Sequence, residues 1–246
     1  MANFPPYKNY ILFCLDKLTR ANSVRGPFLD VGCGCGDVSL FFAEKGWKGK
    51  AIDLSPQAIR NATSTLASYS KVKVELLDCA QEKSQYHSIL MMDILEHVEN
   101  DSQLLRDASK FLVKGGHLIM TIPSNPREWR WDDTFYGHLR RYTQSEITSK
   151  LKEAGLQPVV LWDISFPIFW IMRLLYTAIH KAPNENAASA LDCTLKSSYR
   201  DAWAISKLSK VLSRNKVVWQ LLYPFQFLFK KALNQGGEFM ILAVKP

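Results

Sequence analysis

The residues with the clearest chemical potential are three acids and a glycine turn. Asp30 stands two positions before Gly32, and Gly32-Cys-Gly-Cys-Gly36 follows directly on the apolar run that begins at Phe28. Glycines at this spacing let a chain turn sharply and let a ligand approach the backbone without meeting a Cβ. Asp37 comes next and is placed to cap a following helix. The pattern is G-x-G-x-G, whereas dinucleotide sites use G-x-G-x-x-G, whose third glycine would fall at Asp37; this argues against NAD and FAD. Asp53 ends a second apolar stretch roughly 20 residues beyond the glycines, the separation at which a carboxylate meets ribose hydroxyls. Asp78 ends a third stretch. Each acid alone also reads as a helix N-cap. Two acids closing consecutive strands read better as contacts to one nucleoside, and Asp30 is placed to receive an ammonium group.

Acid–base candidates lie further along. His97 belongs to Leu95-Glu-His-Val98, where an imidazole with an ordinary pKa near 6.5 suits proton transfer. The alternative is that Glu96 and His97 only fix the start of a helix near Asp101. The stretch 124–142 carries Trp129, Trp131, Phe135, Tyr136 and Tyr142 beside Arg127, Arg130, Arg140 and Arg141, with His138 between them. Such a long connection is usually functional or mobile, and aromatic walls with guanidinium groups suit a ring-bearing or anionic acceptor. A structural reading has the arginines pinning the loop to Asp132, Asp133 or Glu128. We take His138, then His97, as proton acceptor, with Tyr142 and Arg140 positioning a substrate. Cys33 and Cys35 flank Gly34, but no second pair lies at a zinc-site spacing, so no metal is expected.

These residues need a scaffold, and the chain supplies one by alternation. Apolar runs at 28–31, 50–53, 73–78, 88–92 and 117–123 are separated by helical stretches at 38–45 and from Ser55-Pro56 to about Ala67. Short strand–helix–strand connections demand parallel pairing and right-handed crossovers. Asp30, Asp53, Asp78 and Asp93 all fall at carboxyl ends of strands, where such sheets bind ligands. Thr143 and Glu146 have capping-box spacing, a helix runs from there to Gly155, and 159–162 reads as a sixth strand.

Leu29-Asp-Val-Gly-Cys-Gly-Cys-Gly36, with Lys50-Ala-Ile-Asp53, Lys73-Val-Glu-Leu-Leu-Asp78 and the strand from Ser88 into Leu95-Glu-His-Val98, resembles the class I S-adenosylmethionine-dependent methyltransferases. The loop at 95–98 and the string Gly137-His-Leu-Arg-Arg-Tyr142 are similar to those of the branch that includes quinone-biosynthesis and small-molecule or glycan methyltransferases. The resemblance implies a doubly wound, mostly parallel seven-stranded α/β sheet of Rossmann-like type whose last strand is antiparallel. It implies S-adenosyl-L-methionine as cofactor, held by Asp30, Gly32, Cys33, Gly34, Gly36, Asp53, Leu54, Asp78, Cys79 and Met92. The reaction expected is methyl transfer to an oxygen, less readily a nitrogen, of a small or lipid-like acceptor. It also implies a lid ahead of the first motif, with Phe4, Tyr7 and Tyr10 either contacting the cofactor or packing on the core.

The departure from that pattern is a delay. The last strand, 239–244, follows the sixth by about seventy residues, so a methyltransferase core at 1–164 and 237–246 is interrupted by an insertion at 165–236. Residues 165–235 carry ten Lys and Arg against three acids, a net of +7 out of +8 for the chain of 246 residues. Phe166 to Ile179 and Val217 to Phe229 are apolar, and both are too short to span a bilayer. Tyr199, Trp203, Leu208, Val211 and Leu212 form one helical face between them. A basic, aromatic insertion of this kind suits a membrane interface. A cap on the sheet or a homodimer surface is the alternative, and nucleic acid is disfavoured by the long aliphatic runs. Five unframed cysteines and the lack of a secretory signal lead us to expect the cytoplasm, with peripheral membrane attachment. A non-enzymatic membrane adaptor and an RNA methyltransferase are the rival readings.

Overall fold

The computed structural model describes residues 6–181 and 216–246. Helix α1 (Pro6–Ala21) leads into β1 (Phe28–Val31), all four of whose residues are buried, Asp30 included. A strand covered by helices on both faces has to be of this kind. Then follow α2 (Asp37–Glu44), β2 (Gly49–Asp53), α3 (Pro56–Thr65), β3 (Val72–Leu76), β4 (Tyr86–Met92), α4 (Asp101–Phe111) and β5 (Leu112–Pro123). The second half holds α5 (Trp131–Tyr136), α6 (Gln144–Glu153), β6 (Gln157–Asp163), α7 (Ile168–Ile179), α8 (Lys216–Leu228) and β7 (Glu238–Val244).

The seven strands are ordered β3-β2-β1-β4-β5-β7-β6, parallel except for β7, which runs antiparallel to both β5 and β6. This is the doubly wound sheet expected from the alternation. The chain goes outward from β1 to β2 and β3, then returns to the other side of β1 at β4. The crevice between β1 and β4 is therefore the switch point where such sheets bind ligands. Strand alternation feeds two cores. Phe28, Leu90, Ile119 and Leu242 pack beneath α1, α2, α3, α7 and α8, while Leu29, Ile89, Leu118 and Ile241 pack beneath α4 and α6.

Local chemistry sets the boundaries. Ser55 caps α3, its Oγ accepting from Ala58 N at 3.3 Å with Pro56 in the first turn, and Thr143 caps α6 by accepting from Glu146 N at 3.2 Å. One expectation is corrected. Asp37 is not a cap: Gly36, at φ +82°, occupies that position without a side-chain bond, and Asp37 is the first helical residue, paired with Lys8. Lys114, Gly115 and Gly116 lie inside β5, where the pairing with β4 shifts register between Tyr86 and Ser88.

Of the insertion, α7 and α8 are described. They pack on each other and on α1: Phe169 stacks on Trp219 with centroids 5.6 Å apart, and Tyr10 lies 5.3 Å from Phe169 and 5.4 Å from Tyr223. Gln226 ties the two helices, accepting from Ile168 N and donating to the carbonyls of Ile164 and Phe166. Phe4, Cys193 and the face from Tyr199 to Leu212 lie outside the described residues.

Candidate functional site

A cavity of about 810 Å³ opens over the carboxyl ends of β1, β2 and β4. Its cofactor end is lined by Asp30, Gly32, Cys33, Gly34, Asp53, Leu54, Asp78, Cys79 and Met92, nine of the ten residues expected to hold a nucleoside cofactor. The tenth, Gly36, does not reach it. A Cβ at Gly36 would lie 3.2 Å from the Cα and Cβ of Ala62, so its task is the close approach of α2 to α3.

The carboxylates are held by their surroundings. Asp53 accepts from Gly34 N at 2.9 Å and from Ser55 N at 2.8 Å, fastening the glycine turn to the end of β2. Asp30 accepts from Ser39 Oγ at 2.6 Å, and burial pushes its carboxyl up to about 7. Asp78 accepts from Ala80 N at 2.9 Å as the cap of a single turn at Cys79–Gln81, so the cap and cavity readings hold together. Gly32 turns at φ +68°, a conformation that favours glycine, and a Cβ there would press on the Ile94 side chain. Three carboxylates along a bare backbone turn fit a ligand with an ammonium group at one end and a nucleoside at the other.

The other end of the cavity is acidic and aromatic. Asp93 follows β4 directly at φ +53°, accepts from Thr121 Oγ1 at 2.8 Å and is raised by burial. The chain then makes a single turn, Leu95–His97. Glu96 is wholly buried, its Oε1 3.8 Å from His97 Nε2 and 3.9 Å from His138 Nε2 with no hydrogen bond made, and burial drives its carboxyl far above the usual range. His97 is held down to about 4 by burial and by its neighbour His138. Gly137, at φ +78°, reverses the chain after α5 and folds His138 back toward Asp133. The His138 Nδ1 lies 2.8 Å from Asp133 Oδ1, and Asp133 is kept ionised by hydrogen bonds from His138 and Arg141 and by the Arg173 charge. An ionised carboxylate only accepts, so Nδ1 carries a proton, and in the neutral imidazole Nε2 is then the lone-pair nitrogen.

His97 and His138 both line the cavity, with ring centroids 5.0 Å apart. Tyr142 and Arg140, expected to position a substrate, do not line it. The Tyr142 side chain is fully buried and its hydroxyl donates to Leu95 O and Asp101, while Arg140 pairs with Asp101 and donates to Glu99 O. Both fasten the start of α4 to the loop. Trp129, Trp131 and Phe135 also lie off the cavity, Trp131 donating to Thr177 O. Arg141 and Arg130 pin the loop to Asp133 and Glu128, so the structural reading of these arginines prevails. Of the lid contacts, Tyr7 lines the cavity and Tyr10 is core.

Sequence reasoning passed over two site residues. Glu238 is a half-buried acid lining the acceptor end, brought there because the start of antiparallel β7 pairs with Pro123 at the end of β5. Arg173 of α7 donates to Asp132 at 2.6 and 2.8 Å and to Asp133 at 2.8 Å; a lone arginine in an apolar helix is the signal for a buried ion pair. With Phe169 and Trp170, it makes α7 a wall of the cavity.

Comparison with known proteins agrees with this architecture. The ubiquinone biosynthesis O-methyltransferase of Dechloromonas aromatica is 26% identical over 185 residues, 67% of this chain and 79% of that protein. The enzyme of the same name from Ralstonia nicotianae is 32% identical over 157 residues, 56% of this chain and 66% of that protein. The N-methyltransferase NodS of Bradyrhizobium japonicum, solved with S-adenosyl-L-homocysteine, superposes with a TM-score of 0.53 at 21% identity, over 64% of this chain and 79% of that one. A family model described as a methyltransferase domain matches residues 7–161. The chain therefore belongs to the methyltransferase-domain family and is an S-adenosylmethionine-dependent methyltransferase.

Proposed function

We propose that this methyltransferase acts on an oxygen of a small, lipid-like acceptor of quinone or glycolipid type, activated at His138. The observation that carries the reading is the Asp133–His138 pair. Asp133 fixes the imidazole of this cavity-lining residue through Nδ1, which leaves Nε2 for proton transfer, the arrangement of an oriented base. Bound S-adenosylmethionine supplies an electrophilic methyl group on a sulfonium, so the protein has to align, exclude water and handle one proton. Asp53 and Asp78 would hold the nucleoside and Asp30 the ammonium group. Phe169 and Trp170 form an apolar wall, and Trp170 Nε1 is a buried donor without a partner. Such a wall, contributed by the insertion, suits a ring or lipid acceptor better than a hydrophilic one. The two relatives named for ubiquinone biosynthesis point the same way.

Methyl-labelled S-adenosylmethionine, incubated with the protein and a cell extract, should place label in the organic phase on extraction. Label confined to the aqueous phase would overturn the lipid-like acceptor. The His138→Ala variant should lose at least about 10²-fold in turnover while binding S-adenosylhomocysteine as the parent does. Normal turnover would remove His138 from the chemistry.

A further inference from the structure

We propose that Tyr7, Trp170 and Glu238 select the acceptor by an uncharged oxygen group apart from the atom that is methylated, an inference that rests on the methyl-transfer reading above and deepens it. It begins with three polar atoms. Tyr7 Oη, Trp170 Nε1 and Glu238 Oε1 are shut off from solvent and make no hydrogen bond, and all three residues line the cavity. Buried polar groups are almost always partnered, so three orphans along one cavity call for a ligand. They come from three elements, the start of α1, the first turns of α7 and the start of β7. The Tyr7 ring lies 4.7 Å from that of Phe169, the residue before Trp170. Glu238 is a second neighbour of Tyr7: burial first, and then this carboxyl, hold the Tyr7 hydroxyl above its usual range. The two groups stand beside each other and yet leave each other unsatisfied.

The chemistry of the trio sets what it can recognise. An indole N–H only donates, a phenol donates or accepts, and a protonated carboxyl does both. Glu238 belongs in the protonated form, because burial and then the nearby Asp93 drive its carboxyl well above the usual range. The subsite therefore offers hydrogen bonds without charge. No cation is left over to balance an anion there. Among the described residues, each lysine and arginine lining the cavity is already paired, Lys8 with Asp37, Arg141 with Asp133, and Arg173 with Asp132 and Asp133. A carboxylate or phosphate on the acceptor would be stripped of water beside Asp93 and Glu238, and a buried charge without a partner is the costliest arrangement. A carbonyl or hydroxyl oxygen has lone pairs for the Trp170 and Tyr7 donors and bears no such cost. Of the two acceptor types that the loop's arginines suggested, ring-bearing and anionic, this end of the cavity suits an uncharged ring. Trp170 and Glu238 lie outside the residues 7–161 that match the family model, so the selection comes from this chain's own insertion and last strand.

Two probes of equal size test the subsite, para-hydroxyacetophenone with a neutral carbonyl and para-hydroxybenzoate with a carboxylate, each titrated by calorimetry into the full chain loaded with S-adenosylhomocysteine. The ketone should bind at least about tenfold more tightly than the carboxylate. Trp170→Phe keeps a ring and loses the N–H, and Tyr7→Phe loses only the hydroxyl; each should weaken the ketone about tenfold. Glu238→Gln, an uncharged isostere, should keep the preference. Trp129→Phe, which loses an indole N–H away from the cavity, should bind both probes as the parent does. Unchanged melting and S-adenosylhomocysteine affinity show that the variants are folded. A carboxylate that binds as well as the ketone, failure of both probes to bind, or Trp170→Phe and Tyr7→Phe that match the parent would overturn the subsite. Glu238→Gln that takes the carboxylate as tightly as the ketone would show exclusion by an ionised Glu238, and would overturn the uncharged subsite too. The acceptor reading fails separately. Methyl label confined to the aqueous phase, with a probe preference that still depends on Trp170, removes the lipid-like acceptor and leaves the subsite standing. Label in the organic phase with an acceptor KM unchanged in Trp170→Phe does the reverse.

Discussion

Asp30 carries two demands that oppose each other. Burial raises its carboxyl to about 7, yet an ammonium group is best received by the ionised form. In the free protein the acid thus takes up its proton as pH falls through about 7, and cofactor binding below that point has to expel it. Affinity for S-adenosylmethionine should fall as pH drops below about 7 and level off above it. Asp30→Asn should be weaker throughout and flat. A wild-type curve that is flat by calorimetry would take Asp30 out of contact with the cofactor. The linkage to stability has the same origin: the folded pKa lies above the unfolded value of about 3.9, so this residue destabilises the cofactor-free fold increasingly as pH rises from about 4 toward 7. Asp53 is simpler. It holds the amides of Gly34 and Ser55, and Asp53→Ala removes both acceptors along with any contact to ribose. We expect cofactor binding weaker by about 2 kcal/mol, roughly thirtyfold; unchanged affinity would overturn the ribose assignment.

At the scale of elements, helix packing decides what the loops can do. Gly36 joins β1 to α2 in a left-handed conformation with Ala62 against it, so Gly36→Ala combines an unfavourable φ with a 3.2 Å contact to backbone. A loss of about 2–3 kcal/mol in unfolding free energy is expected, measurable in denaturant, and a change below about 0.5 kcal/mol would show that α2 and α3 can part. Arg173 links two elements that are distant in sequence, α7 and α5. Arg173→Met should destabilise by about 2–3 kcal/mol, less than the full price of an orphaned buried pair because Asp133 keeps Arg141 and His138. It should raise the acceptor KM with cofactor affinity unchanged; an unchanged KM would make the link purely structural. What was legible in the sequence follows the same division. Strands β1, β2 and β4 could be read because their apolar runs end in acids or glycines, β7 because its run follows a pair of glycines, and the cofactor end could be read because its residues adjoin the first three of those ends. Tyr142 and Arg140 misled because composition shows an aromatic, basic loop without showing which side chains Asp101 consumes. Glu238 and Arg173 were hidden because antiparallel register and a buried ion pair bring them to the cavity from more than 40 residues away.

For the whole molecule, charge and apolar exposure fall on the same part of the chain. The stretch 165–235 holds +7 of the net +8, and two of its helices present stripes that the fold leaves uncovered. Ile171, Leu175 and Ile179 recur every four residues on α7, and Val217, Leu221, Phe225 and Leu228 run along α8, Leu221 and Leu228 each 73% exposed. No helix among the described residues is long and apolar enough to cross a membrane. A face with this spacing and nearby lysines can lie in a bilayer interface, each basic residue contributing about 1 kcal/mol near anionic lipid. The same helix α7 that carries Leu175 outward turns Phe169 and Trp170 into the cavity, so a lipid-like acceptor would pass from the interface to the site along one element. Co-sedimentation with phosphatidylglycerol vesicles should therefore show binding that weakens with salt. Leu175→Glu and Leu221→Glu should each weaken it about tenfold or more, since a buried leucine contributes about 1.5–3 kcal/mol, and should leave S-adenosylhomocysteine affinity intact. Protein that ignores such vesicles at low salt, or binds them equally well with both glutamates in place, would mean that these stripes meet something other than lipid and that the acceptor enters from solution.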